Sequence, residues 1–158
     1  MNESIRKEIL EFIERTKTIM ISAINSENIP IVKGVTKLGN DGMEALYFCT
    51  SQESEFFKYY SGHPIVSVYL LDDDAAVKYP SADEKYYALS LIGRMEKVLD
   101  QETKRRFLSD YLSAFFPDGI EDPNYNLVKF AAQKGKYYRG VTDHFLSLDF
   151  ELDTLERV

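Results

Sequence analysis

The spacing of apolar residues changes along the chain, and the changes mark where helices give way to strands. Ile5, Ile9, Phe12 and Ile13 recur on one helical face, opposite Arg6, Lys7, Glu11 and Glu14. The chain therefore opens with a surface helix that Ser4 is placed to cap. Thr18–Ile24 (TIMISAI) reads as a strand, Asn25–Asn28 as a turn, and Ile31 to about Lys37 as a second strand led in by Pro30. Gly39-Asn40-Asp41-Gly42 predicts the next turn, and hence a hairpin between the second and third strands. The third strand, Ala45–Cys49, is apolar without interruption, as a strand buried on both faces is. It runs straight into a short helix reaching about Tyr60, with Thr50 or Ser51 as its cap and Gly62 and Pro64 as its stop.

Beyond that helix, Ile65–Leu71 (IVSVYLL) predicts a fourth strand. Asp72, Asp73 and Asp74 follow it; their spacing matches no calcium loop and reads as a solvated strand end. Ala75–Lys85 is polar, is broken by Pro80, and reads as a loop. Tyr86–Leu99 predicts a long strand that bends or bulges at Gly93, with Arg94 and Glu96 sharing a face after the bend. Asp100 is placed to cap a third helix. Its Phe107, Leu108, Tyr111, Leu112, Phe115 and Phe116 form one broad stripe, read as core, before Pro117-Asp118-Gly119 ends it. After a turn at Asp122-Pro123-Asn124, Leu127–Ala132 and Lys136–Arg139 read as two strand pieces around Gly135, and Phe145–Leu152 alternates as a half-buried strand. About six or seven strands, mostly joined by hairpins, with about three short helices, predict a mainly β fold. The expected form is an antiparallel barrel with attached helices, not a doubly wound sheet.

Composition narrows the function classes. The 158 residues fit one domain, 1–158, and suffice for a sizeable core. Eleven Tyr and ten Phe with no Trp predict a core rich in rings. A formal net charge of -7 argues against nucleic acid and against an anionic membrane as partners, and no run approaches spanning length. Cys49 is the only cysteine, so no internal disulfide exists, which fits a reducing cytoplasm. Its bland reading is a small buried hydrophobe.

Several kinds of chemistry are absent. One cysteine and two distant histidines supply no zinc site, and no glycine-rich nucleotide loop or nucleophile elbow is present. No catalytic residue is assigned. His63 and His144 read as polar surface residues. Two features remain. A strand running into a helix leaves backbone N–H groups outward, a natural seat for an anion, and Thr50, Ser51 and Ser54 would add hydroxyls there. Lys33 shares a strand face with Ile31, Val35 and Lys37; it is either a lysine snorkelling from an edge or a cation aimed at a bound anion.

The segments TIMISAINSENIPIVKG (18–34), YFCT (47–50), HPIVSVYLLDD (63–73), ALSLIGRMEKVLD (88–100) and DPNYNLVKFAAQKGKYY (122–138) occur in order along nearly the whole chain. Together they resemble the pyridoxamine 5'-phosphate oxidase-like family of flavin-binding split β-barrels, especially its small general-stress and anaerobe-type members. The resemblance implies a homodimer with FMN at the subunit interface, held by the second strand and the strand-to-helix junction. Lys33 matches the basic residue that binds the phosphate, Thr50 the junction hydroxyl, and Ser54 a phosphate-contacting serine. Gly34, Val35 and Cys49 join the candidate set as their neighbours. The chain departs from the family at Phe56, where Lys or Arg is usual, and Glu53 and Glu55 flank the site. Lys58 is the candidate substitute. Loss of one charge-assisted contact costs about 1.5–3 kcal/mol.

The resemblance implies an FMN-dependent oxidoreductase acting on an undefined small substrate. The alternatives are a non-catalytic module holding flavin, haem or another flat cofactor, and a dimeric scaffold that has lost its cofactor. Pyridoxamine phosphate itself would need further basic residues for a second phosphate, and this acidic chain offers none in its motifs.

Overall fold

The computed structural model describes residues 3–51, 53–72, 87–139, 145–151 and 154–157. The predicted loop Ala75–Lys85, Asp73, Asp74 and His144 lie outside the described residues. Helix α1 spans Glu3–Arg15 and buries Ile9, Phe12 and Ile13, as its spacing requires. It begins at Glu3, so Ser4 stands inside the first turn and not at the cap. Strands β1 (Thr18–Ile24), β2 (Pro30–Thr36), β3 (Gly39–Asp41) and β4 (Ala45–Thr50) follow. Helix α2 covers Glu55–Gly62, β5 Ile65–Leu71 and β6 Tyr87–Lys97. Then come α3 (Gln101–Phe107), α4 (Asp110–Ser113), a 3-10 turn at Gly119–Glu121, β7 (Asn126–Arg139), β8 (Phe145–Asp149) and β9 (Thr154–Arg157).

The sheet order is β2-β1-β5-β6-β7-β4-β3, with β8 on β7 and β9 on β8, and every pairing is antiparallel. Strands β2 and β3 stand at the two margins of this path, yet only Lys37 and Leu38 separate them in sequence. The Lys37 N–H donates to the Lys17 carbonyl beside β1 (2.7 Å), and the next N–H, of Leu38, donates to the Tyr47 carbonyl on β4 (2.7 Å). Two residues reach no further than about 7 Å, so the sheet must curl until its margins nearly meet. The result is the predicted antiparallel split β-barrel, with the split running beside β2.

The core follows from alternation. Ile19, Ile21 and Ala23 of β1 face Val66, Val68 and Leu70 of β5, with Leu89 and Leu91 of β6 and Leu46 and Phe48 of β4, under Phe12, Phe56 and Tyr60 from the helices. A second cluster covers the other face of β4: Ala45 and Tyr47 pack with Phe107, Tyr125 and Leu127. Strand β4 is thus buried on both sides, as its unbroken apolar run predicts.

Four expectations are corrected. The hairpin lies between β3 and β4, not between the second and third predicted strands; among the described residues β2 pairs with β1 alone. Gly42, at φ 58, makes the turn, and Gly39–Asp41 are themselves strand. The helix after Asp100 stops at Phe107, because the Ser109 hydroxyl accepts the Leu112 N–H (3.3 Å) and caps a separate short helix. Strand β7 runs unbroken through Gly135: a Cβ there would come 2.7 Å from Leu91 Cδ2 and 2.8 Å from the Ser90 carbonyl, so close packing, not a break, explains the glycine. The strand expected over Phe145–Leu152 is β8, which stops at Asp149, whose carboxylate accepts the Glu151 N–H (3.0 Å) in a local turn, and β9 follows it as a further strand. The Asp100 cap (2.7 Å to the Thr103 N–H) stands where the sequence puts it, and the register shifts between Ile92 and Gly93, with the extra residue, Gln133, on β7 opposite. Added to Gly93, a Cβ would collide with the Ala131 carbonyl.

Candidate functional site

Strand β2 is the free margin of the barrel. Its register pairs Ile31 with Ala23, Lys33 with Ile21 and Val35 with Ile19. All three partners are buried core residues, so Lys33 stands on the inward face between two partly buried aliphatics. On an interior strand a lysine there would be in the core. On this margin it is exposed, and it opens into the split.

That split contains a cavity of about 640 Å³, within the range of small-molecule sites. Lys33, Gly34, Val35 and Thr36 of β2 line one side, with Leu38. Cys49, Thr50, Ser51 and Ser54 line the junction after β4, and Tyr111, Leu112, Phe115 and Phe116 come from the α4 segment. Six of the candidate residues named from the sequence therefore converge: Lys33, Gly34, Val35, Cys49, Thr50 and Ser54. Lys58 does not. It is exposed on α2 and is no part of the cavity lining. Phe56 is 6% exposed and packs in the core, and it borders a smaller recess of about 280 Å³ that shares Lys33 and Ser54 with the main cavity.

The junction differs from the expected cap. Neither Thr50 nor Ser51 caps α2. The Ser51 hydroxyl accepts the Glu53 N–H (3.2 Å) and the Ser51 carbonyl accepts the Ser54 N–H (3.1 Å), which spends a turn before the helix starts. Ser54 takes the capping position with extended backbone (φ -60, ψ 125), and its carbonyl accepts from Phe57 (2.9 Å). Its hydroxyl makes no capping bond. The N–H groups of Glu55 and Phe56 have no acceptor within the helix, as at any helix start. The hydroxyl and the helix start thus lie beside Lys33, with donors available for an anion. Burial pushes the Cys49 thiol above its usual range, so at neutral pH it is a protonated, weakly polar part of the wall.

The aromatic wall was not read from the sequence as part of a site. Tyr111 is 73% exposed and Phe115 61%, and their rings meet edge to face at 5.2 Å. The periodic stripe placed them in a core. The signal that separates them is Ser109-Asp110, a helix-capping pair inside the helical pattern.

Among the described residues no group of three or more His, Cys, Asp or Glu side chains is placed to hold a metal. Nor is any described helix long and apolar enough to cross a membrane.

Comparison with known proteins places this architecture. A search of curated proteins finds no match. Among solved structures, a protein from Clostridium acetobutylicum related to general stress protein 26 of B. subtilis (pyridoxinephosphate oxidase family) is 22% identical, with a TM-score of 0.78 over 98% of this chain and 100% of that one. General stress protein 26 from Bacillus anthracis is 19% identical, with a TM-score of 0.67 over 98% of each chain. A heme binding protein from Mycobacterium smegmatis is 18% identical, with a TM-score of 0.72 over 96% of this chain but 60% of its own. At these identities the likeness is one of fold. The family described as pyridoxamine 5'-phosphate oxidase like matches residues 4–149. A match over that span, on a split barrel whose margins meet at Lys37-Leu38, means that the chain belongs to the pyridoxamine 5'-phosphate oxidase-like family.

Proposed function

We propose that the protein is an FMN-binding flavoprotein that carries out redox chemistry on a small substrate. The observation that supports this most is the convergence of Lys33, Gly34, Val35, Cys49, Thr50 and Ser54 on one cavity. Lys33 is the only charged residue among the described lining residues, and it stands beside the Ser54 hydroxyl and the start of α2. Cation, hydroxyl and outward N–H groups are the donor set a phosphate monoester requires. Bound flavin would supply hydride and electron transfer. The chain's own residues hold and orient it: Lys33, Ser54 and Thr50 at the phosphate, and the margin of β2 at Gly34 and Val35 along the cavity. Lys58 has no part in this arrangement.

A homodimer with FMN at the subunit interface belongs to the same proposal. Val32 pairs with Ser22, Ser22 with Ser67 and Ser67 with Ile92, so these residues share the outward face with Met20 and Ile65. Val32 is 67% exposed, and Met20, Ile65 and Ile92 are exposed beside it. Four exposed apolar side chains interspersed with the small Ser22 and Ser67 on one sheet face suit a second copy.

FMN titration followed by flavin fluorescence tests the reading, with Lys33→Ala as the variant. The expected result is saturable binding that the variant weakens by about 10- to 100-fold, the worth of one charge-assisted contact. Equal affinity in the two proteins would remove Lys33 from the site. A second reading, a haem-holding module, draws on the fold shared with the M. smegmatis heme binding protein. Among the described lining residues only Cys49 and Tyr111 are of types that ligate haem iron. Haem uptake giving a Soret band that Cys49→Ala or Tyr111→Phe shifts, without flavin binding, would favour it.

A further inference from the structure

We propose that Tyr111 and Phe115 form the substrate wall of the cavity and select a flat, uncharged aromatic substrate. The inference rests on the flavin reading, because it assigns Lys33 to the cofactor. Helix α4 is anchored from beneath: Leu112 is 9% exposed, and the Phe116 ring packs against Tyr125 at 5.1 Å. Tyr111 of this helix, capped by Ser109, and Phe115 in the turn after it line the cavity as well, and unlike Leu112 they stand exposed. Two aromatic side chains at 73% and 61% exposure, held edge to face, give up a large apolar area unless something covers them. Their i, i+4 spacing fixes the pair as a unit.

Charge decides what covers them. With a phosphate at Lys33, no cation remains among the described lining residues, and the chain as a whole carries -7. A second anion would enter an uncompensated, partly desolvated space, which is costly. A phosphorylated or carboxylated substrate is therefore disfavoured. Ser109, Thr36 and Asn124 also line the cavity and leave room for neutral hydrogen-bonding substituents.

The test is equilibrium dialysis of 2-naphthamide and 2-naphthoate, one ring with and without charge, against the full chain loaded with FMN and free of it. The loaded protein should bind 2-naphthamide at least about tenfold more tightly than 2-naphthoate. The double variant Tyr111→Ala/Phe115→Ala should weaken 2-naphthamide by about tenfold, the expected worth of two ring contacts. Tyr111→Phe should retain it. Equal or tighter binding of 2-naphthoate to the loaded protein would overturn the proposal. So would an alanine pair that leaves 2-naphthamide binding intact. If the alanine pair dissociates a dimer and leaves probe binding unchanged, the rings belong to a subunit interface and the proposal also fails. Absence of FMN binding by the parent protein would be a failure of the flavin reading. The FMN-free arm then still decides whether the two rings hold a flat ligand.

Discussion

Two regions of the barrel handle aromatic rings and charges in contrary ways. Beneath α1, rings and charges are paired with one another. Phe12 lies 6.3 Å from the Tyr87 ring and 6.2 Å from the Tyr137 ring, and the two tyrosines stack at 6.1 Å. Tyr137 donates its hydroxyl to Glu8 (2.9 Å), and the other Glu8 oxygen meets Arg139 (3.0 Å). Arg15 lies over Phe12 and Tyr87 while pairing with Asp72 (2.9 Å). At the split, Lys33 meets no carboxylate among the described residues, the Ser54 hydroxyl makes no cap, and Tyr111 and Phe115 stand exposed. The same residue types are consumed by the fold in one place and left available in the other. Unspent interactions on a rigid scaffold are where binding energy comes from.

The contrast breaks most visibly on truncation. Phe12 is fully buried, so Phe12→Ala should cost about 3–5 kcal/mol. Phe115→Ala should stay within about 0.5 kcal/mol, as for an exposed surface position. Urea unfolding of the two variants checks this, and similar losses would mean that the split is as tightly packed as the closed region.

Alkaline pH is the next largest lever. Burial is the first cause raising Tyr47 and Tyr125 to about 12, and it pushes Tyr60 and Tyr137 upward as well. The unfolded chain releases these protons near pH 10, its ordinary phenol value, while the folded chain retains them. The unfolded state then binds fewer protons, so stability is full below about pH 10 and falls above it, by about 1.4 kcal/mol per pH unit for each mismatched phenol. Denaturant midpoints measured from neutral pH to pH 11 should decline only past that point. A flat profile would mean that these hydroxyls are not buried.

Two hydroxyl deletions sharpen the comparison at smaller scale. Tyr137→Phe removes a satisfied bond and should cost about 1 kcal/mol. The Tyr60 hydroxyl is buried without a partner among the described residues, so Tyr60→Phe should stabilise by about 1 kcal/mol. Opposite signs in thermal unfolding are expected, and a loss at both positions would reveal a hidden partner for Tyr60.

What the sequence disclosed about the two regions differs for a physical reason. Local rules were legible. Strands β1 and β5 begin and end where their patterns do, Asp100 caps, the register shifts at Gly93, and Lys33 shares its face with Ile31 and Val35. Pairing between distant strands was not legible. The glycines at 39 and 42 show that the chain bends, but not that Lys37-Leu38 carries it across to the other margin of the sheet. The aromatic wall was hidden because a period of 3.6 cannot distinguish one helix from two broken at Ser109. Only the break turns Tyr111 and Phe115 outward.

The smallest expected effect concerns Gly34 of β2, which pairs with Met20 of β1 and lines the cavity with its backbone. A Cβ there would have nothing within 4 Å, and its φ lies outside the left-handed region. Neither packing nor backbone strain within the chain therefore requires glycine. Gly34→Ala should leave stability within about 0.5 kcal/mol of the parent. If a ligand approaches the margin of β2 closely, the added methyl should still weaken FMN severalfold, because close approach to backbone is the remaining reason for a glycine in a strand. Isothermal titration of FMN alongside urea unfolding separates the two effects. Unchanged affinity would move the ligand off β2 and toward the junction at Thr50 and Ser54, leaving Lys33 to act at the length of its side chain.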